Sequence, residues 1–438
     1  MSELAARNGG RMGLAALVAI LLLGLGLRGA EAWDGRSPVY DAQAYAAIAA
    51  NLERGDGFTL GPGATQPASD YSPGLPLFVG GLYALTGGVH ERAARLVLAL
   101  IGTLSVLFAY LIGRRLWGPL AGLIGAAAVA VYPALLEYQG MFMSEPLAAT
   151  LLSGSVLAML WAAGREAYGA RVHARGWFVP GLLLGALALV RPEYLAISIP
   201  MAVVVFARRG RGGWRAGLTQ ALVLFVGLAV VVAPWTVRNA VVLGRFVPIS
   251  TGGGQVLFAG AYMPSGGDPE KVGEAVLERH PELERALPPS PRLEQILAAL
   301  AHERYPGMEA DAALAKMGRE RLWEDVSERP VEYLGFLANK LWLIWGHGPR
   351  DVMHETGWAV FHWLLLALGA LGLGALAGRR RWEAALLGTA LVAATAIGLL
   401  LVASPRRALV TMPLLATLAG TGAAWLGTRL GRPGRRVA

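Results

Sequence analysis

The sequence predicts an all-α protein that crosses a membrane about ten times. Of its 438 residues, 55% are hydrophobic and 16% charged, whereas a soluble domain carries roughly a quarter charged residues. The mean hydropathy is +0.48. The apolar residues gather into runs of about 14 to 21, close to the ~20 that a helix needs to cross a ~30 Å hydrocarbon core. Arginines then cluster in every second gap between the runs, the pattern of a multi-pass chain.

Taken in order, the runs fall at residues 12–27, 96–113, 116–136, 147–164, 177–190, 194–207, 218–235, 358–377, 384–403 and 408–426. The first follows Arg7 and Arg11 and ends near Ala30-Glu31-Ala32, which has the small-residue look of a cleavage site; it is read here as a retained span. The fifth and sixth are short and separated by Arg191-Pro192-Glu193, which is costly at mid-membrane, so they are read as a hairpin with a polar tip. Residues 333–345, apolar with Trp342 and Trp345, read as an interfacial helix.

Orientation follows from the arginines. Arg7, Arg11, Arg114, Arg115, Arg165, Arg171, Arg175, Arg208, Arg209, Arg211, Arg215, Arg379, Arg380, Arg381, Arg429, Arg432, Arg435 and Arg436 all fall on one side, against Glu3, Glu166 and Glu383. That side is predicted to be cytoplasmic and to hold both termini. The net charge of +9 is therefore a topology signal, and no nucleic-acid partner is expected. Two long segments, about residues 28–95 and 236–357, remain outside, where chemistry can occur. The organisation expected is a transmembrane module over residues 1–235 that includes the first loop, a helical external region over 236–357, and C-terminal helices over 358–438. Zero cysteines excludes disulfides and thiolate chemistry.

Within the first segment the chain reads YDAQAYAAIAANLERGDGF, then DYSPGLPLFVGGLYALTGG, then ERAARLVLALIGTLSVLFAYLIGRRLWG. YPALLEYQGMFMSEPLAATLL, LVRPEY, APWTVRNAVVLGRFVPISTGGG and a terminal SPRRALVTMPLLATLAG follow. This succession resembles the GT-C glycosyltransferases, in particular the bacterial family related to protein O-mannosyltransferases and lipid A aminoarabinose transferases. The resemblance is close over about residues 12–260 and looser beyond. It implies a helical core, a polyprenyl-phosphate sugar as donor, an inner-membrane location with the active site external, and an early loop acid as base, here Asp41. The aminoarabinose branch's Glu-Lys-Pro-Pro is replaced by Tyr71-Ser72-Pro73-Gly74, so that branch's donor specificity does not transfer.

Chemistry at an anomeric carbon needs a base for the acceptor hydroxyl and cations for the departing phosphate. Asp41 is the candidate base, with Tyr45 one turn away, and Asp70 is its rival. Arg92, Arg95, Arg406 and Arg407 are candidates for the phosphate, since guanidinium binds phosphate bidentately, although arginines at this depth also serve lipid headgroups. Glu145 starts a span as an acid favoured by the helix dipole and matches a family acid. Arg191 with Glu193, and Arg238 with Asn239, read as structural pairs. Thr251 to Gly254 match neither a P-loop nor a Rossmann turn.

No HExxH, DxD or cysteine cluster occurs, so no metal is required, although two carboxylates and a histidine meeting in space would form a site for a divalent ion. The expected activity is transfer of a sugar from polyprenyl phosphate to a hydroxyl on a glycan, lipid or protein, by one inverting displacement. The rival is a carrier or flippase that moves a lipid-linked sugar intact. Carriers place sites between repeated halves, and no internal repeat is evident.

Overall fold

The computed structural model describes residues 2–36, 41–166, 174–348 and 351–430. Among them every regular element is a helix, with one isolated bridge between Thr59 and Pro67. The chain is an all-α polytopic membrane protein. Among the described residues six helices are long and apolar enough to cross a membrane, or seven if one bent pair counts as a span. The helices form two compact units. One comprises Met1–Ile249, Arg350–Leu391 and Leu409–Ala438, and the other Ser250–Pro349 and Val392–Ala408.

In the first unit, α1 (Ser2–Asp34) precedes two short helices, α2 (Asp41–Arg54) and α3 (Gly74–Thr86). Then come α4 (Glu91–Trp117), α5 (Pro119–Val131), α6 (Pro133–Gly140), α7 (Ser144–Glu166), α8 (Phe178–Val190), α9 (Glu193–Ala207) and α10 (Trp214–Leu243). The expected third span, residues 116–136, is in fact two helices. α5 and α6 meet at 47°, where Pro133 lacks the N–H that would bond Val129. The Arg28 guanidinium replaces it, donating from Nη2 to Val129 O at 3.0 Å and from Nη1 to Ala130 O at 3.2 Å.

The full ten crossings are not reached on length and apolarity alone, for two physical reasons. α8 and α9 have only 13 and 15 residues, as their hairpin reading anticipated. The C-terminal helix α19 (Met412–Leu430) is diluted by Gly and Thr because it lies between helices rather than in lipid. A Cβ on Gly420 would come within 2.2 Å of Ala121 O, and one on Gly372 within 1.9 Å of Leu418 O. Small residues thus set the closest helix approaches, here of α19 to α5 and to α16 (Thr356–Ala377). α17 (Arg381–Leu400) follows α16.

At the arginine-rich end, Arg208 stacks over Trp177 (4.8 Å), Arg379 over Trp117 (4.8 Å) and Arg429 over Trp425 (5.3 Å). Basic residues and tryptophans together form the girdle expected at a membrane surface. Arg7, Arg165, Arg171, Arg432, Arg435 and Arg436 lie outside the described side chains.

The second unit contains α11 (Gly253–Ala261), α12 (Val272–Arg279), α13 (Leu293–Arg304), α14 (Ala310–Glu328), α15 (Pro330–Trp345) and α18 (Pro405–Leu409). Phe258, Tyr262, Val276, Leu297, Leu300 and Leu314 form its core. α15 buries Phe336, Lys340 and Ile344 and exposes Val331, Leu334, Leu341 and Trp342. An outward apolar face is what an interfacial helix presents to lipid.

Candidate functional site

The C-terminus of α1 and the N-terminus of α4 enclose a cleft of about 440 Å³ lined by Trp33, Asp34, Arg36, Glu91, Arg92 and Arg95. Its shape depends on Gly35, whose φ of +62° and missing side chain are both required: a Cβ there would fall 1.5 Å from Arg95 Nη1. Arg92 stacks over Trp33 at 4.7 Å. Arg95 lies over Phe142 at 5.1 Å and donates from Nη2 to Glu91 at 2.6 Å, while its buried Nε has no acceptor among the described residues. Arg36 pairs with Glu31 at 3.3 Å and lies 3.9 Å from Glu137. Three guanidiniums and two carboxylates line the cleft; Arg36 is taken up by Glu31 and Glu137, so Arg92 and Arg95 are the cations at the start of α4.

Asp41 stands in the first turn of α2. It follows Arg36 by five residues, and at ~3.6 Å per residue the chain keeps the two within ~18 Å whatever its path. α2 buries Ile48 against Phe58 and Ala68, with Leu52 and Tyr71 packed alongside. Tyr45, one turn beyond Asp41, meets Tyr71 edge-to-face at 6.1 Å. That contact draws the Asp70 loop onto α2. The same loop is anchored to α8 at Gly74, where a Cβ would be 2.6 Å from the Val190 backbone nitrogen. The glycine in Tyr71-Ser72-Pro73-Gly74 is thus demanded by packing.

Just past Val190, Arg191 sits between two carboxylates, 3.1 Å from Glu145 and 2.9 Å from Glu193. Glu145 is fully buried, so the triad joins the start of α7 to the α8–α9 turn. Removing one partner of such a buried pair strands a charge and costs about 3–5 kcal/mol. Arg238 stacks over Trp235 (4.7 Å) and bonds Asn239 at 3.0 Å. Asn239 in turn donates to Val247 O and Ile249 O. Arg406 and Arg407 are in α18 of the second unit, where Arg407 Nε donates to Val402 O at 2.7 Å.

Among the described residues one grouping brings two carboxylates and a histidine together, His280, Glu282 and Glu303, with donor atoms within 4.8 Å. His280 Nδ1 lies 3.1 Å from a Glu282 carboxylate oxygen.

Residues 70–236 match the family described as dolichyl-phosphate-mannose-protein mannosyltransferase. Among solved structures, the chain resembles an oligosaccharyltransferase of Archaeoglobus fulgidus tethered to an acceptor peptide. The match has 16% identity and a TM-score of 0.59, covering 96% of this chain and 50% of that one. The fold is that of the GT-C glycosyltransferases. The apo form of that archaeal enzyme gives 15% identity and a TM-score of 0.58, with 96% of this chain and 51% of that one covered. AglB of the same organism, in complex with an inhibitory peptide and a dolichol-phosphate, gives 16% and 0.55, with 97% and 52% covered. This chain spans about half the length of these archaeal chains. No curated protein matches it.

Within this GT-C fold the structure brings Arg92 and Arg95 into one cleft, and packs the Asp70 loop against α2 beside Tyr45. It adds Arg36, Trp33 and the buried Arg28, which sequence reading passed over. The one sequence signal for Arg28 was an arginine closing an apolar run, which reads equally as a flank.

Proposed function

We propose that this protein transfers a sugar from a polyprenyl-phosphate donor to an acceptor hydroxyl on the external face of the membrane, with Asp41 as base. The observation that carries the reading is the cleft itself. It places Arg92 and Arg95 together at the start of a transmembrane span, Arg95 keeps an unused N–H, and the Asp41 carboxylate at the start of α2 is tethered within ~18 Å of Arg36. The match of residues 70–236 to a mannosyltransferase family supports it, as does a similar fold solved with dolichol-phosphate.

In the proposed step, the acceptor hydroxyl gives its proton to the Asp41 carboxylate as its oxygen bonds to the anomeric carbon. The bond from that carbon to the phosphate oxygen breaks, and its electron pair leaves with polyprenyl phosphate. Arg92 and Arg95 neutralise the charge that develops there, a role preorganised cations fill best where water is scarce. Attack opposite the leaving group inverts the anomeric centre. No bound metal is part of this step.

Incubating the purified protein with a panel of polyprenyl-phosphate hexoses and pentoses plus an envelope extract tests the proposal. The expected result is release of free polyprenyl phosphate. Donors that are moved across vesicles yet recovered intact indicate a carrier and overturn it.

A further inference from the structure

The second unit holds a cavity of about 210 Å³ that has no part in the reading above. Its polar wall is Arg279, Arg321, Asp325, Arg329 and Glu332, and Met263 lines its apolar side. Arg321, Asp325 and Arg329 recur at four-residue intervals along α14 and its end, so they share one helix face, while Arg279 closes α12. A chain of ion pairs explains part of this. Asp325 is buried and paired with Arg329, which also lies 3.9 Å from Glu324.

It does not explain Arg321. Among the described residues that guanidinium has no carboxylate within ion-pair distance. It lies instead over the Tyr262 ring at 4.8 Å from the centroid, and 5.8 Å from that of Phe258. Tyr262 is itself pinned, its hydroxyl donating to Ala275 O at 3.1 Å. Ring stacking holds a guanidinium in place while leaving its N–H edges for a ligand.

The mixed lining selects the ligand. Arg329 is committed to Asp325 and Glu324, so it is Arg321, with Arg279 across the cavity, that calls for one anionic group, bound in bidentate fashion. Asp325 is already held by Arg329, whereas Glu332 can only accept hydrogen bonds when ionised, so it calls for a hydroxyl on the same ligand and repels a bare phosphate. The volume equals about seven waters at ~30 Å³ each, the scale of a single sugar ring. We propose that this cavity binds a carboxylate-bearing sugar, a uronic acid unit of the acceptor. Its assignment to the acceptor rests on the transferase reading; the binding itself does not.

The test is to titrate the intact protein in detergent with sodium glucuronate, glucose and inorganic phosphate by calorimetry, with no donor present. Glucuronate is expected to bind saturably and more tightly than phosphate, and glucose not to bind. Arg321→Gln should weaken glucuronate about tenfold or more, and Arg279→Gln, at an exposed position where folding is little at risk, should act in the same direction. The proposal is overturned by absence of saturable glucuronate binding, by unchanged affinity in both variants, or by phosphate binding as tightly as glucuronate. Because no turnover is measured, failure of the transferase reading leaves these outcomes readable.

Discussion

Arg95 is held by Glu91, Phe142 and the Gly35 backbone and still retains an unused N–H. A charge-assisted contact to phosphate contributes roughly 1.5 to 3 kcal/mol. Arg95→Ala should therefore raise the donor half-saturation about tenfold or more and move acceptor kinetics less. Arg407→Ala tests the second unit's candidate in the same way, and unchanged donor kinetics in both variants would assign these arginines to lipid headgroups. Lys340 is a residue of a different kind. Its ammonium donates to Gly260 O, Leu399 O and Leu401 O, yet burial, and then the charge of Arg407, lowers it from the ordinary 10.5 to about 7. Between those values the unfolded chain binds more protons than the folded one, so stability rises with pH across that window and is lost as pH falls toward 7. Thermal scans at pH 7 and pH 10 should show this rise in the wild type and a flatter response in Lys340→Met. Equal slopes would mean that Lys340 stays charged throughout.

The broken pair α5 and α6 shows how an element can depend on one distant side chain. Arg28 serves the Val129 and Ala130 carbonyls at the break made by Pro133, and a buried acceptor left without a donor costs about 1–3 kcal/mol. Arg28→Met should destabilise the protein by that order in thermal unfolding. Pro133→Ala, which restores an N–H for Val129, should recover part of the loss, and a strictly additive double variant would contradict the account. The sequence showed Pro133 plainly, but prolines are tolerated within transmembrane helices, so residues 116–136 read as one span. What supports the bend is a contact about a hundred residues away in sequence, which local pattern does not encode. The spans themselves were legible because their signal is local: runs of apolar residues with arginine flanks. α2 was legible for the same reason, its AQAYAAIAANL being helical in period, and so was the exposed apolar face of α15. The cleft was half legible. Arg92 and Arg95 stood out as cations at a helix start, whereas Arg36 and Trp33 acquire meaning only when α1 ends beside α4.

For the molecule as a whole, the orientation that makes the proposed site external rests on the excess of arginine in the short loops at the opposite end. Alkaline phosphatase fused after Gly266 should be active and the same fusion after Ala167 inactive; Ala167 lies outside the described residues. The reverse result would invert the membrane map and put the cleft in the cytoplasm. The transferase reading stands on the carboxylate that receives the acceptor proton. An amide keeps the shape of Asp41 and removes the basic lone pair, and a positioned base contributes roughly 10² to 10⁴ in rate. The decisive measurement is release of polyprenyl phosphate by Asp41→Asn and Asp70→Asn, with thermal stability recorded for both. The account predicts that Asp41→Asn loses turnover by that factor while its unfolding temperature stays close to the wild type; near-normal turnover in Asp41→Asn would contradict it.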